Sequence, residues 1–224
     1  MGKSIKVLQE KDIKGFTLLE LLVVVALIAI VSAIGVPNFT NWKKDREVRV
    51  AAERVAGVIS GMNAQAKRGT YPLVMVHMNY NSSTKGIYVT GRGMLKSELS
   101  KILNSGNIFP KCNSKSMIQK MDPYLFEYKL EKIGINLSGD GGQICFSQDE
   151  KYYQTTGKIT SNTAIKLDNS TTKIKRYIIV CSQSDTGNTG ICDPKNLAKP
   201  AYLISWSRFG NVRQFRWNDG EWVR

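Results

Sequence analysis

Residues 14–37 read K-G-F-T-L-L-E-L-L-V-V-V-A-L-I-A-I-V-S-A-I-G-V-P. The 21 residues from Phe16 to Val36 carry a single charge, Glu20. At about 1.5 Å of rise per residue such a run is long enough to cross the hydrocarbon core of a bilayer as a helix. Its apolar side chains cover every helical face, as lipid requires. Lys3, Lys6, Lys11 and Lys14 precede it, so the positive-inside rule puts residues 1–15 in the cytoplasm and the rest of the chain across the membrane. Glu10 and Asp12 dilute that signal without reversing it.

Glu20 needs a partner, because a carboxylate near a membrane interior costs on the order of 2–3 kcal/mol. An ordinary signal peptide is cut after its apolar run. Here the distinctive junction, Lys14-Gly15-Phe16, lies before it. A cut between Gly15 and Phe16 would create an α-amine four residues from Glu20, and the amine of a neighbouring copy would then neutralise that carboxylate within a helical bundle.

The stretch K-G-F-T-L-L-E followed by a long apolar helix resembles the class III prepilin signal of type IV pilins and type II secretion pseudopilins. The resemblance is uninterrupted from Lys14 to Pro37. It implies cleavage after Gly15 by a prepilin peptidase, N-methylation of Phe16, and a role for Glu20 in subunit register. It also implies partners: other pilin or pseudopilin subunits, an inner-membrane assembly platform, and the lipid bilayer.

Pro37 removes a backbone hydrogen bond and clashes with the preceding turn, so a kink or local melting is expected there rather than an end. Beyond it Val48, Ala51, Ala52, Val55, Val58, Ile59, Met62 and Ala66 recur at three- and four-residue spacing, with Lys43, Arg46, Arg49, Glu53, Arg54 and Lys67 opposite. The helix therefore resumes as an amphipathic one. It is expected to end at Arg68-Gly69, a basic last turn followed by glycine. An alanine-rich amphipathic segment closing in A-K-R-G, then a strand from Pro72 to Tyr80, is similar to H-type pseudopilins and related minor pilins. The stretches I-C-F-S-Q-D-E at 144–150 and I-S-W-S-R-F-G-N-V-R at 204–213 resemble later strands of that family.

From Gly69 onward the pattern is strands and turns. Leu73–Asn79, Gly86–Thr90, Ile144–Ser147, Ile174–Cys181 and Ala201–Ser207 read as strands, and Ser138–Gly142 as a loop. Residues 94–135 are ambiguous. Gly210-Asn211, ahead of Val212–Trp217, reads as a tight hairpin turn, and Asn218-Asp219-Gly220 leads into the last strand, Glu221–Arg224. The expected fold class is α+β, one long N-terminal helix with an antiparallel β-sheet domain. The expected division is leader 1–15, membrane and polymerisation helix 16–37, amphipathic helix 38–69, and periplasmic β-rich domain 70–224.

Cys112, Cys145, Cys181 and Cys192 lack CxxC spacing and His77 is the sole histidine, which argues against a zinc site. In an exported domain four cysteines read as two disulfides. Cys181 with Cys192 would close a short polar loop, leaving Cys112 to Cys145, although spacing alone does not choose among three connectivities.

The net charge of +14 favours contact with something acidic: headgroups, nucleic acid or an acidic neighbour. Residues 206–217 interleave Arg208, Arg213 and Arg216 with Trp206, Phe209, Phe215 and Trp217. Arginine and aromatic faces are what a nucleic-acid surface uses. Some minor pilins of the resembled family, implicated in DNA uptake, carry G-R-x-R at this hairpin, but here the positions read Gly210-Asn211-Val212-Arg213. Alternation also sends Arg213 and Arg216 to opposite faces. A hairpin with core aromatics and solvated arginines is the plainer reading, and DNA contact the second. Neither a nucleophile–base arrangement nor a metal-ligand cluster is visible, so no enzyme, cofactor or metal is expected.

The expected role is a minor pilin-like subunit of a type IV pilus, anchored by one pass in the inner membrane and extracellular once assembled. An H-type pseudopilin of type II secretion and a DNA-binding minor pilin of natural transformation are the alternatives.

Overall fold

The computed structural model describes residues 15–105, 115–121, 125–149, 155–159, 165–166, 173–174, 176–187, 189–194, 196–207 and 209–224. The elements, in chain order, are α1 (Leu18–Arg68), β1 (Leu73–Asn81), β2 (Gly86–Met94), α2 (Lys96–Asn104), α3 (Lys115–Lys120), β3 (Phe126–Glu131), β4 (Ile133–Ile135), β5 (Leu137–Ser147), β6 (Thr155–Ile159), β7 (Ile165–Lys166), β8 (Lys173–Ile174), β9 (Tyr177–Ser182), β10 (Ala201–Trp206), β11 (Val212–Asn218) and β12 (Glu221–Val223). Two units result, Met1–Trp42 and Lys43–Arg224.

In the first unit the described side chains from Phe16 to Ala33 are exposed, among them Leu18, Leu22, Leu27 and Ile30. The helix does not end at Pro37, since α1 continues to Arg68. Among the described residues no helix is long and apolar enough to cross a membrane. Side chains of the apolar run are described only as far as Ala33, so the expectation of a span stands on the sequence.

Among its described residues the second unit is α+β, with two five-stranded sheets. Their orders are β3-β2-β1-β5-β6 and β12-β11-β10-β9-β4, and a two-stranded ribbon pairs β7 with β8. All named strand pairs are antiparallel. Side-chain alternation explains how the sheets share a centre. On β1, Val74, Val76 and Met78 face the cluster containing Val48, Val55, Ile59 and Ala66 of α1. On β9 and β10, Ile178, Val180, Tyr202, Ile204 and Trp206 face the same cluster. The alternate residues serve the outer faces. Leu73 and Met75 meet Leu99 and Ile102 of α2, whereas Tyr177, Ile179, Leu203, Phe215 and Trp222 pack together on the second sheet. The amphipathic half of α1 thus supplies the apolar surface onto which one face of each sheet packs.

Three expectations are corrected. Ser138–Gly142, expected as a loop, lies within β5, whose pairing to β6 shifts register between Ser138 and Gln143. A bulge absorbs the glycines that would otherwise weaken a strand. Ile174–Cys181 is not one strand: Ile174 ends β8 and Tyr177 begins β9. The β10–β11 connection is a five-residue loop, Ser207–Asn211, closed by Ser207 N–H donating to Asn211 O at 2.9 Å. It is wider than the tight turn expected at Gly210-Asn211, since Trp206 pairs directly with Val212. Gly210 holds φ of +81° there, and a Cβ on it would collide with the Asn63 side chain. Asn63 Nδ2 and Lys67 Nζ both donate to Phe209 O, at 3.0 and 3.1 Å, tying this loop to α1.

Within the ambiguous stretch 94–135 the structure places α2, α3, β3 and β4. The expected helix end is observed, with Arg68 the last helical residue and Gly69 at positive φ. Ile59 is fully buried at the centre of the shared cluster. Ile59→Ala is expected to lower unfolding stability by roughly 2–5 kcal/mol in urea titrations. Val50→Ala, on the exposed face, should change it by less than about 0.5 kcal/mol.

Candidate assembly interface

Gly15, Phe16 and Thr17 precede the first helical residue, Leu18. Helix starts leave N–H groups without intrahelical acceptors. One of these is satisfied here by Thr17 Oγ1, which accepts from Glu20 N–H at 3.2 Å. Thr17 is therefore the N-cap and Glu20 the third helical residue, the spacing of a capping box. T-L-L-E at 17–20 carries this capping signal in the sequence as well. A carboxylate in the first turn interacts favourably with the helix dipole, by roughly 0.3–1 kcal/mol. Its charge therefore opposes burial less than it would at mid-helix. The Gly15–Phe16 bond lies just outside the helix, with Phe16 83% exposed and free of helical hydrogen bonding.

The exposed apolar surface of this unit includes a shallow groove lined by Leu18, Leu21, Leu22, Val25, Ala26 and Ala29. Small Ala26 and Ala29 beside leucines form a surface into which side chains of another helix can interdigitate. Further along, Phe39 and Trp42 are exposed with ring centroids 5.8 Å apart. This i, i+3 aromatic pair was legible in the sequence but was not singled out. Pro37 lies within α1.

In the second unit Cys181 and Cys192 form the expected disulfide. It packs against Gly134, where a Cβ would meet both sulfurs and Thr186. Cys145 is disulfide-bonded, whereas Cys112 lies outside the described residues. Tyr71, Tyr80 and Tyr88 are half-buried. His77 is half-buried on β1, opposite Thr90 and Gln143.

The basic run at the C-terminal hairpin is not assembled into one surface. Phe215 packs on the outer face of its sheet, so alternation places Arg213 on that side and Arg216 on the side of α1. Arg216 is paired with Asp45 of α1 at 3.2 Å, and Tyr202 donates to the same carboxylate oxygen at 3.1 Å. Burial, aided by the Asp45 carboxylate, holds the Tyr202 hydroxyl above its ordinary pKa. Arg208 lies outside the described residues. Among the described residues, no three His, Cys, Asp or Glu side chains cluster as metal ligands.

A second groove, of about 660 Å³, runs between α1 and the edge strand β3, lined by Arg54, Gly57, Val58, Gly61, Phe126 and Tyr128. Tyr128 Oη is buried without a hydrogen-bond partner. Desolvation raises its pKa to about 12, with Arg54 opposing weakly.

The N-terminal region matches the prokaryotic N-terminal methylation motif over residues 11–36. The chain is also similar to Fimbrial protein Q of Moraxella bovis, 34% identical over 94 residues, or 42% of this chain and 59% of that protein. It therefore spans less than two thirds of the length of this curated relative. No solved structure matches the chain significantly.

Two outcomes follow from the geometry. Thr17→Val should remove the cap at a cost of about 1 kcal/mol, seen as roughly fivefold faster amide exchange at Glu20 in the full chain in detergent. Tyr128 has a raised folded pKa, so stability is complete below pH about 10 and declines as pH rises toward 12. Tyr128→Phe should flatten that alkaline decline in urea midpoints measured against pH, without loss at neutral pH.

Proposed function

We propose that this type IV pilin-like chain is a minor pilin-like structural subunit of a type IV pilus, made as a prepilin and acting by assembly rather than catalysis. One observation carries the reading: the methylation motif at residues 11–36 coincides with an exposed apolar helix whose single charge, Glu20, sits in the capped first turn. Prepilin peptidase cuts after Gly15 on the cytoplasmic side, and Phe16 is then N-methylated. The apolar run crosses the inner membrane once, with the β-rich domain in the periplasm. An assembly platform then draws α1 out of the bilayer into a bundle of like helices.

Glu20 supplies specificity to that bundle. Apolar contact between helices in lipid is nearly indifferent to axial register, because lipid tails match the side chains. A carboxylate that must find the Phe16 amine of a neighbouring subunit penalises every other register. The basic, loop-rich second unit suits a low-copy role in initiation or at the tip.

The H-type pseudopilin of type II secretion relies on the same helix, and similarity to a fimbrial protein favours the pilus. A DNA-binding role is the weaker reading, because Arg216 is engaged by Asp45 and Arg213 lies on the other face.

Gly15→Ala is expected to leave uncleaved precursor in the inner membrane, detected by N-terminal sequencing and mass. A mature chain beginning at Phe16 in that variant would sink the processing assignment. Glu20→Ala should be cleaved normally, keep its folded second unit, and fall at least about tenfold in filament incorporation. Deleting the gene separates pilus from secretion: surface filaments are lost in the first case, exported proteins in the second.

A further inference from the structure

We propose that Phe39 and Trp42 form an interfacial anchor that seats α1 in the outer headgroup layer of the inner membrane before assembly. This rests on the single-pass reading above and adds the element that sets the depth of the pass. Both rings are exposed, Phe39 at 61% and Trp42 at 55%. Their ring centroids lie 5.8 Å apart, the planes tilted by 33°. Large exposed aromatics need a reason in a soluble setting, whereas in a bilayer the boundary between hydrocarbon and water is where such rings concentrate.

The distances agree. Leu18–Val36 rises about 28 Å as a helix, close to the roughly 30 Å hydrocarbon core. Phe39 then lies about 4.5 Å beyond the apolar run and Trp42 about 9 Å beyond it. Each polar layer of a bilayer is about 5–8 Å deep. Phe39 therefore falls within the headgroups and Trp42 at or just past their outer margin. In sequence Lys43 follows at once, a cation suited to lipid phosphate.

A second copy of the chain is the competing occupant of these rings. Sequence chemistry favours lipid, because the pair falls where apolar residues give way to cations and carries a polar N–H. Bundle contacts between helices instead favour small residues, as at Ala26 and Ala29.

The test places an environment-sensitive dye at Asn41→Cys in the full-length chain, reconstituted in phosphatidylethanolamine–phosphatidylglycerol vesicles. Ile28→Cys and Glu221→Cys serve as deep and aqueous references. The Asn41 label should be quenched at least about twofold more by shallow than by deep lipid-borne quenchers. Adding Phe39→Ser and Trp42→Ser should raise its quenching by aqueous iodide at least about twofold. An Asn41 label as iodide-accessible as the Glu221 one, with Ile28 still deep, overturns the anchor while leaving the span intact. An aqueous Ile28 label overturns both. Protection at Asn41 that appears only at high protein-to-lipid ratio assigns the rings to a second copy and overturns the lipid proposal.

Discussion

Val48, Ala52, Val55, Ile59 and Ala66 of α1 are buried against strands of both five-stranded sheets, and the second unit cannot close without them. An antiparallel sheet with one apolar face needs a partner layer. Here each sheet turns one such face toward the same helical stripe. The alanines at 51, 52, 56 and 66 keep the helix slim on this side, which lets backbone approach from two directions. A larger side chain there would push one sheet outward, because a close-packed interior has no slack to absorb it.

Several polar contacts fasten the same helix to the elements around it. Asp45 receives both Tyr202 and Arg216, Lys44 pairs with Asp185 at 2.8 Å, and Asn63 and Lys67 hold the β10–β11 loop at Phe209. The individual ion pairs are partly exposed and contribute modestly. Their value is directional, since apolar packing is indifferent to small slides whereas a carboxylate accepting two donors is not. The Cys181–Cys192 disulfide adds a covalent restraint at the other end of β9.

The apolar part of α1 follows a different logic. Its surface is saturated with leucine, valine and isoleucine, so contact energy alone cannot choose an arrangement. In the assembly proposed above, selectivity falls to groups that are not aliphatic, among them Thr17, Glu20 and the Phe39–Trp42 pair.

Local chemistry by itself determined the apolar run and its lone carboxylate, the resumption of an amphipathic helix after Pro37, and its end at Arg68. It also determined the alternation that separates Arg213 from Arg216, because these features follow from periodicity and composition within a few turns of chain. What only the tertiary structure decided were pairings between distant residues. The glycines of 139–142 read as a loop until β6 offered partners and a bulge to hold them. Ile174 could not be assigned away from β9 until β7 claimed it. That Arg216 is engaged, rather than free for an acidic ligand, required Asp45, 171 positions earlier, to arrive on the helix beside it. Spacing within one segment records which way a side chain points, but the group it meets depends on how the whole chain closes.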